Sequence, residues 1–336
     1  TLIMSLSIST IITMASHHWM LAWLGLELNT LSILPITMKL GHPRATEATV
    51  KYFLIQTLAA ALILFASTMN AWQTGLWDIT NSTQTTIITM AILMKLGTAP
   101  VHLWYPEVLQ GTTLTTALLI STWQKLAPLS LLYMMHTNLP NNLLLLTGLL
   151  STLLGGWAGL NQTQSRKIMA HSSIAHMGWI LIALSMTPEL TTLTLLTYMI
   201  MTTAMFSSLN TSTTKTITDM GTAWSSSPMT MTLTLLTLTS LGGLPPLTGF
   251  LPKLLILNEL TMKSLLPMAM MLALASLPSL FFYIRMAYTT TLTTPPTTTN
   301  IEHKWRFKAT PPPTYTATTA TALLLMPLSP ALHTTT

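Results

Sequence analysis

"TMAILMKLGTAPVHLW", residues 89–104, reads as part of a membrane span until Lys95 interrupts the apolar run and Gly97 and Pro100 interrupt the helix itself. An ammonium at the centre of a bilayer costs a few kcal/mol or more. Lys95 therefore has to be explained by what surrounds it and by whether the pattern recurs.

Composition sets the frame. The chain has 336 residues, 50% hydrophobic and 7% charged, with a mean hydropathy of +0.55. A soluble domain carries about a quarter charged residues, so this chain is short of the charge needed to cover a water-facing surface. Its apolar runs of roughly 20 residues instead predict a polytopic α-helical membrane protein. There is no cysteine, which excludes disulfides, cysteine-ligated clusters and thiol catalysis within the chain. The first segment lacks the basic stretch and small-residue cleavage site of a signal peptide and is read as a genuine span. It is short and starts at Thr1, so further residues are expected before it. The net charge of +6 is dispersed and forms no basic stripe with interleaved aromatics, which excludes nucleic acid as a partner. Threonine is abundant; its hydroxyl folds back onto a helix carbonyl, so it is tolerated inside membranes.

Apolar runs set against polar breaks give eleven crossings, near 1–16, 19–38, 47–70, 83–109, 112–136, 142–160, 168–187, 189–210, 229–261, 264–290 and 314–333. Two of these are long and broken: 83–109, and 229–261 at "LGGLPPLTG" (241–249). Counting each as one crossing puts Lys39, Arg44, Lys51, Arg166, Lys167, Lys215, Lys304, Arg306 and Lys308 in loops on one side, and only Lys263 on the other. Such a split is a strong positive-inside signal, and dividing either broken run would scramble it. The same side holds the largest hydrophilic loop, 291–313, whose prolines resist helix formation. The broken crossings are the fourth and the ninth. If crossings one to five and six to ten are repeats, the break falls on the fourth member of each, and the odd number makes the repeats inverted. Paired Gly/Pro-interrupted segments in such halves point to a transport site. The expected organisation is a transmembrane domain over 1–290 (repeats about 1–136 and 142–290), a loop over 291–313 and a last helix over 314–333.

Four ionisable residues lie away from span ends: Glu27, Lys95, Lys125 and Lys253. At about 1.5 Å per residue across a core of roughly 30 Å, all four fall in the middle third. Snorkelling explains one such lysine; it explains three less well, each being within five residues of a proline. Proline frees a carbonyl, and irregular backbone at membrane depth lines protein or water-filled cavities. A lysine there gains or loses a proton, because burial and a nearby carboxylate act on it in opposite directions. Glu27 is the one acid in mid-span and the natural partner of Lys95 or Lys125, so these residues are read as a proton relay along the membrane plane.

His171 and His176 lie some 140° apart on a helix and are poor co-ligands for one metal. His176, the deeper, is either a proton-passing group or a packing residue, and His102 is equally open. Glu107, Glu189, Asp78, Glu259 and Arg285 sit near span ends and take a structural role. Trp19, Trp104 and Trp157 are expected as interface anchors. No nucleotide-binding loop or haem-type histidine pair occurs, so nothing here is expected to bind a nucleotide or carry electrons.

The stretches "WLGLELNTLSILP" (23–35), "HPRATEATVKYFLIQ" (42–56), "MKLGTAPVHLWYPEV" (94–108), "STWQKLAPLS" (121–130), "GLNQTQSRKIMAHSSIAHMGW" (159–179) and "SLGGLPPLTGFLPK" (240–253) resemble the antiporter-like subunits in the membrane arm of respiratory complex I, the NADH–ubiquinone oxidoreductase. The resemblance runs through nearly the whole chain and weakens after about residue 290. It implies the fourteen-helix family fold shortened by three helices, as in an animal mitochondrial member, which leaves the eleven counted above. It also implies that Glu27 is the acid of the family's fifth helix and Lys95 its partner on a broken helix. Lys125 becomes the central lysine, Lys253 the lysine near the exit, and His176 the histidine of "SSIAHMGW". His171 stands where a tyrosine is common, so a relay role for it is not implied.

By the same resemblance, redox chemistry elsewhere drives proton translocation here. NADH, FMN, iron–sulfur clusters and ubiquinone belong to other subunits, and no cofactor is expected in this chain. The expected partners are other membrane-arm subunits and a bilayer with cardiolipin, in the mitochondrial inner membrane with the basic side facing the matrix. A stand-alone cation/proton antiporter and a non-conducting structural subunit are the competing readings.

Overall fold

The computed structural model describes residues 2–38, 42–79, 84–224, 227–294 and 313–324. Among them every regular element is helical: α1 (Leu2–Ala15), α2 (Trp19–Thr37), α3 (Pro43–Thr74), α4 (Thr85–Leu96), α5 (Trp104–Gly111), α6 (Leu114–Ser121), α7 (Trp123–Met134), α8 (Asn141–Gly159), α9 (Ser165–Met186), α10 (Pro188–Ser212), α11 (Ile217–Ala223), α12 (Pro228–Gly242), α13 (Phe250–Met262), α14 (Leu266–Leu292) and α15 (Pro313–Leu324), with a 3₁₀ turn at His136–Asn138. Six of these (α2, α3, α8, α9, α10 and α14) are long and apolar enough to cross a membrane unaided. The 12 residues of α4 reach only about 18 Å, so that helix and α5 make up a crossing between them.

The expected spans recur with three differences. The third run extends at both ends into the 32 residues of α3, about 48 Å of helix. The run 112–136 is not continuous: it breaks at Thr122 into α6 and α7, and the short helix α11 occupies the connection after α10. Of the tryptophans expected at interfaces, Trp19 and Trp104 are buried while Trp157 is exposed. Trp19 begins α2 under the Trp77 carbonyl, to which its N–H donates, and Trp104 packs edge-on against Tyr52. Most of the loop 291–313, with His303, Lys304, Arg306 and Lys308, lies outside the described residues, as do Lys39 and the end of the run 314–333.

The chain divides into two compact units, Thr1–Ser151 and Thr152–Thr336. In the first, α2 lies close on α1 because Gly25 has no side chain; a Cβ there would stand 2.6 Å from Thr13 Cγ2. In the second, α9 is the central helix, buried along nearly its whole length, and a Cβ at Gly155 of α8 would stand 2.7 Å from the Ala175 nitrogen. Many serine and threonine hydroxyls are satisfied inside their own helices. Thr13 donates to the Thr10 carbonyl at 2.7 Å and Thr237 to that of Thr234 at 2.9 Å, so these side chains behave as small, internally bonded packing groups. The connection after α10 is held by a capping box, in which the Asp219 carboxylate accepts from the Thr216 N–H at 2.8 Å.

Candidate functional site

Each unit contains a helix broken at a left-handed glycine, and these two breaks are built alike. In the first, α4 ends at Gly97, whose φ of 70° is left-handed. The Gly97 N–H donates to the Met94 carbonyl and the Thr98 N–H to that of Leu93, both at 3.2 Å. In the second, α12 ends at Gly243, with φ 80°. There the Gly243 N–H reaches the Ser240 carbonyl at 2.9 Å and the Leu244 N–H that of Thr239 at 3.3 Å. Both are Schellman-type endings, in which glycine adopts φ > 0 without the penalty a Cβ imposes.

Lys95 stands in the last turn of α4 and is 6% exposed. Its cation lies at the negative end of the helix dipole. Its ammonium makes no hydrogen bond among the described residues, and neither does Oε2 of the half-buried Glu27. Glu27 is the acid whose charge acts on Lys95. The Lys95 carbonyl, at the end of the helix, accepts from Gln56 Nε2 of α3 at 3.3 Å.

Lys125 is 3% exposed and sits between two irregularities of its own crossing. Thr122 (φ −112°, ψ −70°) separates α6 from α7, and Pro128 lies inside α7, where it offers no N–H to the Gln124 carbonyl. The Lys125 ammonium is 5.1 Å from the centroid of the Tyr105 ring, a cation–π distance.

Lys95 and Lys125 line one cavity, together with Asn29, Tyr52, Gln56, Tyr105 and Gln124. The cavity measures about 20 Å³, enough for about one water beside several polar groups. The neutral residues form a chain: Tyr52 OH donates to Gln124 Oε1 at 3.4 Å, and Gln124 Nε2 donates to Asn29 Oδ1 at 3.1 Å.

In the second unit Lys253 and His176 share a cavity of similar size, about 20 Å³. Lys253 lies past the break, in the first turn of α13, and its ammonium reaches back to donate to the Gly242 carbonyl at 2.8 Å. It also lies 6.0 Å from the Trp179 ring centroid. His176 is half-buried, its ring 5.7 Å from that of Tyr198. Thr194 and Thr197 complete the polar lining, each donating to a carbonyl of α10 at 3.0 Å. His171 is buried but is not a lining residue; its backbone and Cβ abut the glycines of α8. His102 is buried in the first break, its Nδ1 3.2 Å from the Pro100 carbonyl.

The fold thus gathers Lys95 and Lys125 in one unit, and Lys253 and His176 in the other. The neutral lining residues Asn29, Tyr52, Gln56, Tyr105 and Gln124 escape the sequence reading. Their only signal there is polarity within apolar runs, which threonine shares throughout the chain. Arg285 behaves as a span-end residue should, its guanidinium donating to the Leu160 and Gln162 carbonyls just past α8.

Residues 16–279 match a family model described as NADH:quinone oxidoreductase/Mrp antiporter, transmembrane. Residues 280–333 match the C-terminus of NADH dehydrogenase subunit 2. Two proteins called NADH-ubiquinone oxidoreductase chain 2 are among its relatives. That of Carassius auratus is 53% identical over 339 residues, covering 100% of this chain and 97% of that one. That of Tetraodon nigroviridis is 51% identical over 338 residues, covering 99% and 97%. Among solved structures, a chain of respiratory complex I from Thermus thermophilus matches with a TM-score of 0.86 at 24% identity, over 99% of this chain and 78% of that one. A chain of the Mrp complex from Dietzia matches with a TM-score of 0.84 at 14% identity, over 99% and 75%. These two likenesses bear on the fold and agree with the broken-helix architecture. Conserved architecture, family models and half-identical relatives agree: this chain belongs to the family of NADH-ubiquinone oxidoreductase chain 2, the antiporter-like membrane subunits.

Proposed function

We propose that this chain is a core membrane-arm subunit of the proton-pumping NADH:ubiquinone oxidoreductase and passes protons through Glu27, Lys95, Lys125, Lys253 and His176. The observation that carries this reading is the pairing, in each unit, of a lysine with a helix break and a water-sized cavity, the lysines being buried in the first unit and half-buried in the second. A lysine at such a place exchanges its proton when the surrounding charge changes. Glu27 supplies that charge to Lys95, and the Tyr105 face receives the cation on Lys125. In the second unit the Gly242 carbonyl receives it on Lys253, beside the imidazole of His176.

The chain works as part of a translocase. Electron transfer, with NADH, FMN, iron–sulfur clusters and ubiquinone, belongs to other subunits of the complex, and this chain holds no redox centre. Its setting is the mitochondrial inner membrane, among other membrane-arm subunits and cardiolipin, with the basic loops on the matrix side.

Lys125→Ala in the assembled complex is expected to abolish proton pumping and to depress NADH:ubiquinone activity while leaving assembly intact. Full pumping by the assembled variant sinks the relay. The likeness to the Mrp chain keeps a stand-alone antiporter as the second reading, and cation-dependent proton flux by the purified chain in liposomes would favour it.

A further inference from the structure

Counted from the left-handed glycine, the two breaks run in the same register. Gly97 and Pro100 match Gly243 and Pro246, and α5 and α13 both begin seven residues after the glycine, at Trp104 and Phe250. The third and fourth residues of each second half-helix are then a proline and a charged residue: Pro106 and Glu107 in one, Pro252 and Lys253 in the other. Lys253 uses its charge to tie α13 back to the end of α12. Glu107 ties its half-helix to a neighbour instead. Its carboxylate accepts from the Lys51 ammonium of α3 at 2.7 Å, and the same ammonium holds Glu47 at 2.5 Å.

A continuous set of contacts leads inward from that pair. Tyr52, next to Lys51 in the chain, is buried and meets the Trp104 ring at 5.8 Å. Trp104 stands edge-on to Tyr105 at 5.5 Å, and Tyr105 carries the Lys125 ammonium on its face. At its far end α5 approaches α3 closely, since a Cβ at Gly111 would stand 2.6 Å from both the Arg44 carbonyl and the Ala48 Cβ. The ion pair is the polar tie between those two fixtures.

We infer that Glu107 is a positioning residue: by pairing with Lys51 it holds α5 against α3 and so fixes the Tyr105 ring on which Lys125 rests. Glu107 itself is half exposed and stands outside the cavity lining. Exposed ion pairs are weak, so the tie trims the geometry of Lys125 and does not create it. The inference rests on the proposed relay role of Lys125.

The test measures protons pumped per NADH oxidised by the assembled complex in sealed vesicles, beside the amount of complex assembled. Glu107→Gln is expected to lower the ratio about twofold to fivefold, and Glu107→Asp to restore most of it. Glu47→Gln, which leaves the Lys51–Glu107 pair in place, should change nothing. Should Glu107→Gln fail to assemble, Lys51→Gln breaks the same tie and is read in its place. An unchanged ratio in Glu107→Gln beside a non-pumping Lys125→Ala overturns the tie and spares the relay. Full pumping by Lys125→Ala overturns the relay itself. Equal losses in Glu47→Gln and Glu107→Gln reduce the cluster to general surface charge and overturn the tie.

Discussion

The two units solve one backbone problem identically and one charge problem differently. Each stops a helix with a left-handed glycine and resumes it seven residues later. In the first unit the lysine stands before the break, with no hydrogen bond of its own among the described residues and an acid acting on it from α2. In the second it stands after the break and is bonded to the carbonyl that the break exposes. The first arrangement leaves the cation responsive to a carboxylate, while the second anchors it to a fixed dipole. A break therefore provides a place for a charge without dictating which segment supplies it.

The sharpest way to break this comparison is to keep the charge and remove its proton chemistry. Arginine stays protonated at any working pH, so Lys125→Arg and Lys253→Arg should each cut pumping more than about tenfold, roughly 1.4 kcal/mol or more of barrier. Pumping near the native rate in either variant would assign that lysine an electrostatic role alone. The measurement is proton uptake by vesicles against NADH oxidation.

A smaller effect sharpens the backbone half of the comparison. Gly97→Ala and Gly243→Ala both force a Cβ into φ > 0, at roughly 1 kcal/mol each. At Gly97 the nearest neighbours of the new Cβ are aromatic side chains, with Trp104 at 3.1 Å. At Gly243 it stands 2.9 Å from the Lys253 ammonium. Thermal stability should fall alike in the two variants, whereas pumping should fall further in Gly243→Ala. Equal pumping would detach Lys253 from the break.

The smallest effect lies outside the spans. The backbone N–H of Thr216, ahead of its hydroxyl, holds the Asp219 carboxyl below the usual carboxylate range. A depressed folded value means that the contribution is present above the unfolded value of about 3.9 and is lost as pH falls through the folded value. Because Asp219 is largely in water, the cap is worth about 0.5 kcal/mol after screening. Asp219→Asn should lower the melting temperature slightly at pH 7, and the gap should close in acid. A gap that persists after the pH has fallen through the folded value would mean that the side chain acts by shape.

What the sequence made legible was local. Gly97, Pro100 and the "LGGLPP" run announce broken helices, because glycine and proline change the backbone whatever surrounds them. Lys95, Lys125 and Lys253 announce themselves by cost. Thr122 did not: threonine is at home in these helices, and the irregularity arises where its hydroxyl takes the Leu118 carbonyl just ahead of Pro128. Gln124 and Asn29 were equally silent, since a hydrogen bond between residues 95 positions apart leaves no local trace. Glu107 read as a span-end charge, and only the tertiary fold shows that it faces Lys51.

The threonines of the second cavity bear on the proton passage proposed for it. A hydroxyl relays a proton only if it both gives one up and takes one in, yet Thr194 and Thr197 have already committed their hydrogens to helix carbonyls. Toward the cavity they present lone pairs alone. In the relay proposed above they can cradle a hydrated proton but cannot hand it on, which leaves the hopping steps to His176, Lys253, Tyr198 and whatever water stands between them.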